Sequence, residues 1–281
     1  MKLATLSLGV LVAIALAASP SALAQEPSPE NDAAPVNKEL IDAALKLTQS
    51  AAVKYEFTLA DGAKSVAALR KDPVLKWSNP SVGEIHGNVF LWTVDSRPVA
   101  VGSLFKWFTP HTHMSHEFHS LAEVPLVAKY EEREVWQPQK GGVTFAPVPR
   151  AARPADTAAR RLLQMREIAK GFSATKTERD SNQQELRLLP QPIYRYAAAK
   201  QKIIDGALFV LVQGTDPEVF VLLEARGEPD TAQWMLAPAR MNSVAFDLRY
   251  HDASIWNVEI MPWSDVGSHA QPYTTFMFKM P

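Results

Sequence analysis

Gly87-Asn-Val-Phe90-Leu-Trp92-Thr-Val-Asp95-Ser-Arg-Pro98 and Gly206-Ala-Leu-Phe209-Val-Leu-Val-Gln-Gly214-Thr-Asp-Pro217 lie 119 positions apart and match at Gly, Phe and Pro. In both stretches the residues between Gly and the turn are apolar on either parity. A strand apolar on both sides must be covered on both faces, so it belongs in the middle of a layered structure. The turn-forming residues Asp95-Ser-Arg-Pro98 and Gly214-Thr-Asp-Pro217 predict that each stretch is a β-hairpin.

Outward from these hairpins the text repeats. Tyr130-Glu-Glu-Arg-Glu-Val-Trp136 answers Tyr250-His-Asp-Ala-Ser-Ile-Trp256, and Leu75-Lys-Trp77 before Pro80 answers Leu186-Arg-Leu188 before Pro190. Self-similarity in a shared order along the chain predicts an internal duplication. Each copy opens on a helical stripe. In the first, Leu40, Ala44, Leu47 and Ala51 run to about Lys54 with Asn37 as N-cap. In the second, Ala158, Leu162, Met165 and Ala169 run to Lys170, with Asp156 as cap and Gly171 as stop. Alternating segments at Tyr55, Phe57, Leu59 and at Phe172, Ala174 follow as strands. The expectation is an α+β fold of two tandem helix-plus-antiparallel-sheet units, 38–149 and 150–281, of cystatin-like or NTF2-like architecture. The Pro- and Ala-rich 147–154 is the connection between them.

The first 24 residues read as a signal peptide: Lys2, an apolar run from Leu3 to Ala18, and Ala22-Leu-Ala24 as the cleavage signature. Residues 25–37 are a polar, Pro-rich disordered linker. No later stretch supplies the roughly 20 apolar residues that a membrane helix needs, so no integral span is expected after cleavage. The expectation is an exported protein, periplasmic or extracellular. The chain of 281 residues holds no cysteine, which excludes disulfides and a lipid-modified cysteine. Its 29 basic and 30 acidic side chains give a net charge of −1. Such a balance argues against nucleic acid as a partner, which calls for a strong positive field.

Four of the seven histidines fall in His111-Thr-His113-Met-Ser-His116-Glu117-Phe-His119. On one continuous strand His111, His113, Glu117 and His119 would share a face. That set suits a divalent, zinc-type metal, with His111, His113 and His119 as ligands and Glu117 as ligand or general base. The alternative is a polar loop with solvated imidazoles. His111-X-His113-X-X-X-Glu117 also matches the core of the first cupin motif. The glycines of that motif are replaced by Phe105 and Val124, and no second motif follows. Trp92, Trp136 and Trp256 read as core residues, whereas Trp107, just before the histidines, is a candidate ligand-stacking surface. Neither a Gly-X-Ser-X-Gly elbow nor a phosphate-binding glycine loop occurs.

Six blocks resemble a family of secreted bacterial proteins of planctomycete type: Trp77-Ser-Asn-Pro80, His116-Glu-Phe-His-Ser-Leu121, Leu162-Leu-Gln-Met-Arg166, Arg187-Leu-Leu-Pro-Gln-Pro192, Gln213-Gly-Thr-Asp-Pro-Glu218 and Ala239-Arg-Met-Asn-Ser243. The resemblance implies export and a shared fold, and brings no assigned activity. Three readings stand at this point. The first is a non-enzymatic secreted protein binding a small ligand or an envelope protein, with no cofactor. The second is a metal-dependent hydrolase using the His/Glu cluster, and the third is a structural envelope component.

Overall fold

A computed structural model describes residues 37–278; the expected signal peptide and all of the expected linker except its last residue, Asn37, lie outside the described residues. The chain begins with α1 (Lys38–Ala52), in which Asn37 Oδ1 accepts the Leu40 amide at 3.4 Å. Then follow β1 (Tyr55–Leu59), β2 (Ala68–Leu69), β3 (Leu75–Ser78), β4 (Glu84–Val94), β5 (Arg97–Thr109), β6 (Met114–Ser120), β7 (Leu126–Tyr130), β8 (Arg133–Trp136) and β9 (Ala146–Pro147). The second part starts with α2 (Ala158–Lys170). After it come β10 (Phe172–Thr177), β11 (Gln183–Leu188), β12 (Tyr194–Ala198), β13 (Ile203–Gln213), β14 (Asp216–Arg226), β15 (Gln233–Arg240), β16 (Ala245–Tyr250), β17 (Ala253–Val258) and β18 (Tyr273–Phe278). The N-cap of α2 is Thr157, not Asp156, because the Thr157 hydroxyl reaches the Arg160 amide at 3.3 Å.

The expectation of two helix-plus-sheet α+β units is overturned. Among the described residues two short α-helices stand against eighteen strands, arranged in three antiparallel sheets. One runs β17-β16-β10-β11-β13-β14-β15-β9 with β12 also on β13. A second runs β18-β6-β5-β4-β2 with β3 also on β4, and the third is β1-β7-β8. The reason lies in the two long hairpins. The β4–β5 and β13–β14 hairpins are buried on both faces over most of their length, and a single helix covers only part of one face. The other face is covered by the opposite hairpin. Val89, Leu91, Val101 and Phe105 pack in one core with Leu208, Val210, Phe220 and Leu222. The opposite faces enter two further cores. Phe90, Trp92 and Phe118 join Ala51, Phe57 and Trp136, while Phe209, Leu211 and Val221 join Met165, Phe172 and Phe246.

Two segments tie these layers together across the expected boundary. The C-terminal strand β18 pairs with β6, from Tyr273 opposite His119 to Phe278 opposite Met114. The short β9, at the end of the expected first unit, pairs with β15 at Ala146–Leu236 and Pro147–Met235.

The hairpins also meet each other reciprocally. Next to the Asp95–Ser96 turn, Tyr194 donates from its hydroxyl to the Ser96 carbonyl at 3.0 Å and Lys200 pairs with Asp95 at 3.2 Å. Next to the Gly214–Thr215 turn, Thr215 exchanges hydrogen bonds with the Ser78 backbone, and Asn79 donates to Asp216 at 3.2 Å. Trp77 opposes Gly87, as Tyr196 opposes Gly206. The ring over each glycine leaves no room for a Cβ, which would lie 2.2 Å from the Trp77 indole and 2.6 Å from the Tyr196 ring. In place and pairing, then, Tyr196 corresponds to Trp77, not Leu188 as the sequence comparison suggested.

Candidate functional site

The histidine cluster is divided by the end of a ladder. Residues 110–113 belong to no strand; the Trp107 amide bonds the His113 carbonyl at 3.0 Å, and the Lys106 ammonium holds the carbonyls of Trp107 at 2.9 Å and Thr112 at 2.7 Å. The ammonium thus ties the hairpin tip into a loop that begins before β6. Exposed His111 and half-buried His113 stand at that tip beside half-buried Trp107, with ring centres 5.2 and 5.8 Å from the indole and 5.6 Å from each other. His119 lies at the far end of β6, about 20 Å along the chain from His113 at the usual strand rise. His111, His113 and His119 are therefore not brought together, which corrects the one-face expectation. Among the described residues no group of three or more His, Cys, Asp or Glu side chains is placed to hold a metal ion.

His116 points the other way, into the core of Phe57, Phe118 and Trp136, where its Nδ1 meets the Tyr55 hydroxyl at 2.9 Å. Burial pushes its pKa down to about 3. The remaining pair, Glu117 and His119, faces the seam between the two large sheets. The seam brings residues from distant strands around them. The Tyr273 hydroxyl, on β18, donates to Glu117 Oε1 at 3.2 Å. His119 is only 5% exposed, and its Nδ1 lies 2.8 Å from the Ser120 carbonyl. A carbonyl can only accept, so the proton is assigned to Nδ1 and Nε2 is left as an acceptor. Burial draws the His119 pKa down to about 4, against the Ser120 carbonyl and with Arg240 adding to the fall, so the ring is neutral near pH 7.

His119 lines a cavity of about 290 Å³ together with Tyr273, Lys140, Arg240, Trp256 and Met261. Arg240 is fixed in the wall, donating to the carbonyls of Asn242 at 2.7 Å, Glu259 at 3.1 Å and Val244. Its pKa is lowered to about 10 by burial and by nearby Arg179, with Tyr273 opposing, and the guanidinium remains charged.

Behind Tyr273 lies a group of carboxyls. Glu218, 1% exposed, accepts from Lys176 Nζ at 2.5 Å through Oε1, while its Oε2 is buried without a partner. Lys176 also reaches Glu178 and Gln213, each at 2.9 Å. Burial, then the charge of Asp216, raise Glu218 to about 8 despite Lys176. Asp216 rises to about 6 by burial, against the Asn79 hydrogen bond. Part of the Glu117 side chain is accessible, but its carboxyl is enclosed. That burial, with Asp216 and Glu218 as neighbours, lifts its pKa well above the carboxylate range.

A larger concavity, about 840 Å³, opens on the outer face of β10, β11, β16 and β17. Several of its polar side chains satisfy one another: Thr175 bonds Glu185 at 3.0 Å, and Asp247 holds both Arg249 and Ser254. None of its lining residues carries a buried polar atom without a partner, and the seam cavity differs in being lined by the buried imidazole of His119. Sequence reasoning found Glu117 and His119 but missed Tyr273, Arg240, Trp256 and Lys140. These come from separate strands and a loop, and no local spacing connects them. No protein-family model, curated protein or solved structure matches the chain.

Proposed function

We propose that this is an exported, non-enzymatic binding protein whose small ligand occupies the seam cavity lined by His119, Tyr273, Arg240 and Trp256. The observation that carries the reading is the nearly water-free His119. Its tautomer is set by Ser120, and its free acceptor nitrogen opens on a concave space beside an indole. An acceptor already fixed in position and facing a concave space can take a ligand donor without rearrangement of the protein. Soaking crystals of the mature chain with a fragment library tests it. Fragments in contact with His119 and Trp256 are expected; a library that leaves this cavity empty would refute the reading.

We further infer that the two halves arose by duplication of one unit. In support, the pairs Trp77–Gly87 and Tyr196–Gly206 occupy matching places 119 residues apart. So do Ala128–Trp136 and Leu248–Trp256, which are 120 apart. An experimental structure in which 38–136 and 158–256 could not be superposed strand for strand would overturn the inference. Export predicts that protein recovered from the cell envelope begins at Gln25; an intact Met1 on that material would contradict it.

A further inference from the structure

We infer that the seam cavity takes a small carboxylate with a planar, hydroxyl-bearing body, an inference that rests on the cavity being the binding site. The charge of the lining sets the head group. Lys140 and Arg240 are its cations, no carboxylate lines it, and neither cation forms an ion pair among the described residues. Arg240 is bonded to carbonyls alone, so its charge is left without a compensating anion. Glu117 is not part of the lining; its carboxyl accepts the Tyr273 hydroxyl, and burial raises its pKa well above the carboxylate range. Two uncompensated cations around a partly enclosed space favour an anion.

The rest of the lining sets the body. Trp256, Met261, Val258 and Pro238 supply the apolar part of the lining, suited to a flat ring. In the same lining His119 Nε2 is left as an acceptor, which calls for a hydroxyl or similar donor on the ligand. A volume of about 290 Å³ holds roughly ten water volumes, hence a molecule of about ten to fifteen non-hydrogen atoms. A monocyclic hydroxy acid meets all three conditions.

The probes are 4-hydroxybenzoate and its neutral isostere 4-hydroxybenzamide, titrated at pH 7 into the full mature chain by calorimetry, with imidazole and indole NMR shifts recorded for His119 and Trp256. The expected result is that 4-hydroxybenzoate shifts both residues and binds at least tenfold more tightly than the amide. Lys140→Gln, at an exposed position that carries no packing, should weaken the acid several-fold and leave the amide unchanged. Equal affinity for acid and amide, with both residues still shifting, would overturn the anion assignment and leave the cavity standing as a site. The same holds if Lys140→Gln has no effect on the acid. Shifts at neither residue with either probe would overturn the site and this inference together.

Discussion

Arg97 and Glu224 form an ion pair at 3.0 Å across the shared core, with side chains 4% and 0% exposed. The carboxylate also accepts the Tyr196 hydroxyl and the Arg226 guanidinium, both at 2.5 Å. Removing one member of a buried pair strands the other's charge, a loss of roughly 3–5 kcal/mol. Glu224→Gln should therefore shift the urea midpoint by that equivalent with an unchanged slope. The double variant Arg97→Met/Glu224→Leu should lose less than the sum of the single changes. Additive losses would show that the two side chains do not act as a pair.

Stability should fall as pH rises from 6.5 to 8. Glu218 titrates at about 8 in the folded chain, against 4.5 as its ordinary value, so the folded state holds the extra proton through this window. The proton-linked stabilisation is complete below pH 4.5 and is lost as pH climbs through 8. At about 1.4 kcal/mol per pK unit, the decline between pH 6.5 and 8 is on the order of 2 kcal/mol from this group. His116 and His119, held down at about 3 and 4, are neutral when folded over this range and act only below about pH 6.5, where stability falls with falling pH. Chemical denaturation at half-unit pH steps checks the slope, and Glu218→Gln should flatten most of it; a flat wild-type profile would count against the buried proton.

Gly87→Ala should destabilise markedly, because the new methyl would meet the Trp77 indole at 2.2 Å while that indole is tied to Ser103 Oγ at 3.0 Å. Overpacking of this kind costs about 1–3 kcal/mol or more. Gly62→Ala, where no atom lies within 4 Å, is the control and should stay within about 0.5 kcal/mol of the parent. Thermal melts of the two variants side by side decide the matter.

Any zinc taken up by the untagged protein should follow the hairpin tip. His111 and His113 stand 5.6 Å apart by ring centre, whereas His119 is committed to the Ser120 carbonyl at the other end of β6. Elemental analysis after equilibration with zinc should therefore show uptake reduced in His111→Ala/His113→Ala and unchanged in His119→Ala. Loss in the His119 variant would restore the three-histidine set.

The parts of the fold legible in the sequence were those written locally. The turns at Asp95–Ser96 and Gly214–Thr215 and the strand after each helix follow from residue type and alternation. The Asn37 cap does too. Apolar residues on both parities of β4 and β13 signalled two covered faces, one for a helix and the second for either the other half or a partner chain; the choice between those two was not written in the sequence. Nothing in Tyr273–Phe278 announces β6 as its partner, since that pairing spans more than 150 residues and leaves no periodic trace. The site was half legible for the same reason. Glu117 and His119 share a strand face and could be found by counting, while His111 and His113 were misplaced because the β5–β6 ladder ends at the Lys106–Met114 pair, before it reaches them.

The crossing of β18 onto β6 and of β9 onto β15 means that the two parts of the chain are laced, not merely joined. Scission anywhere in 150–156 would produce fragments that each still carry a border strand of the other. Separating them would require a sheet to be unzipped, so a nicked molecule should travel as one particle until it is denatured.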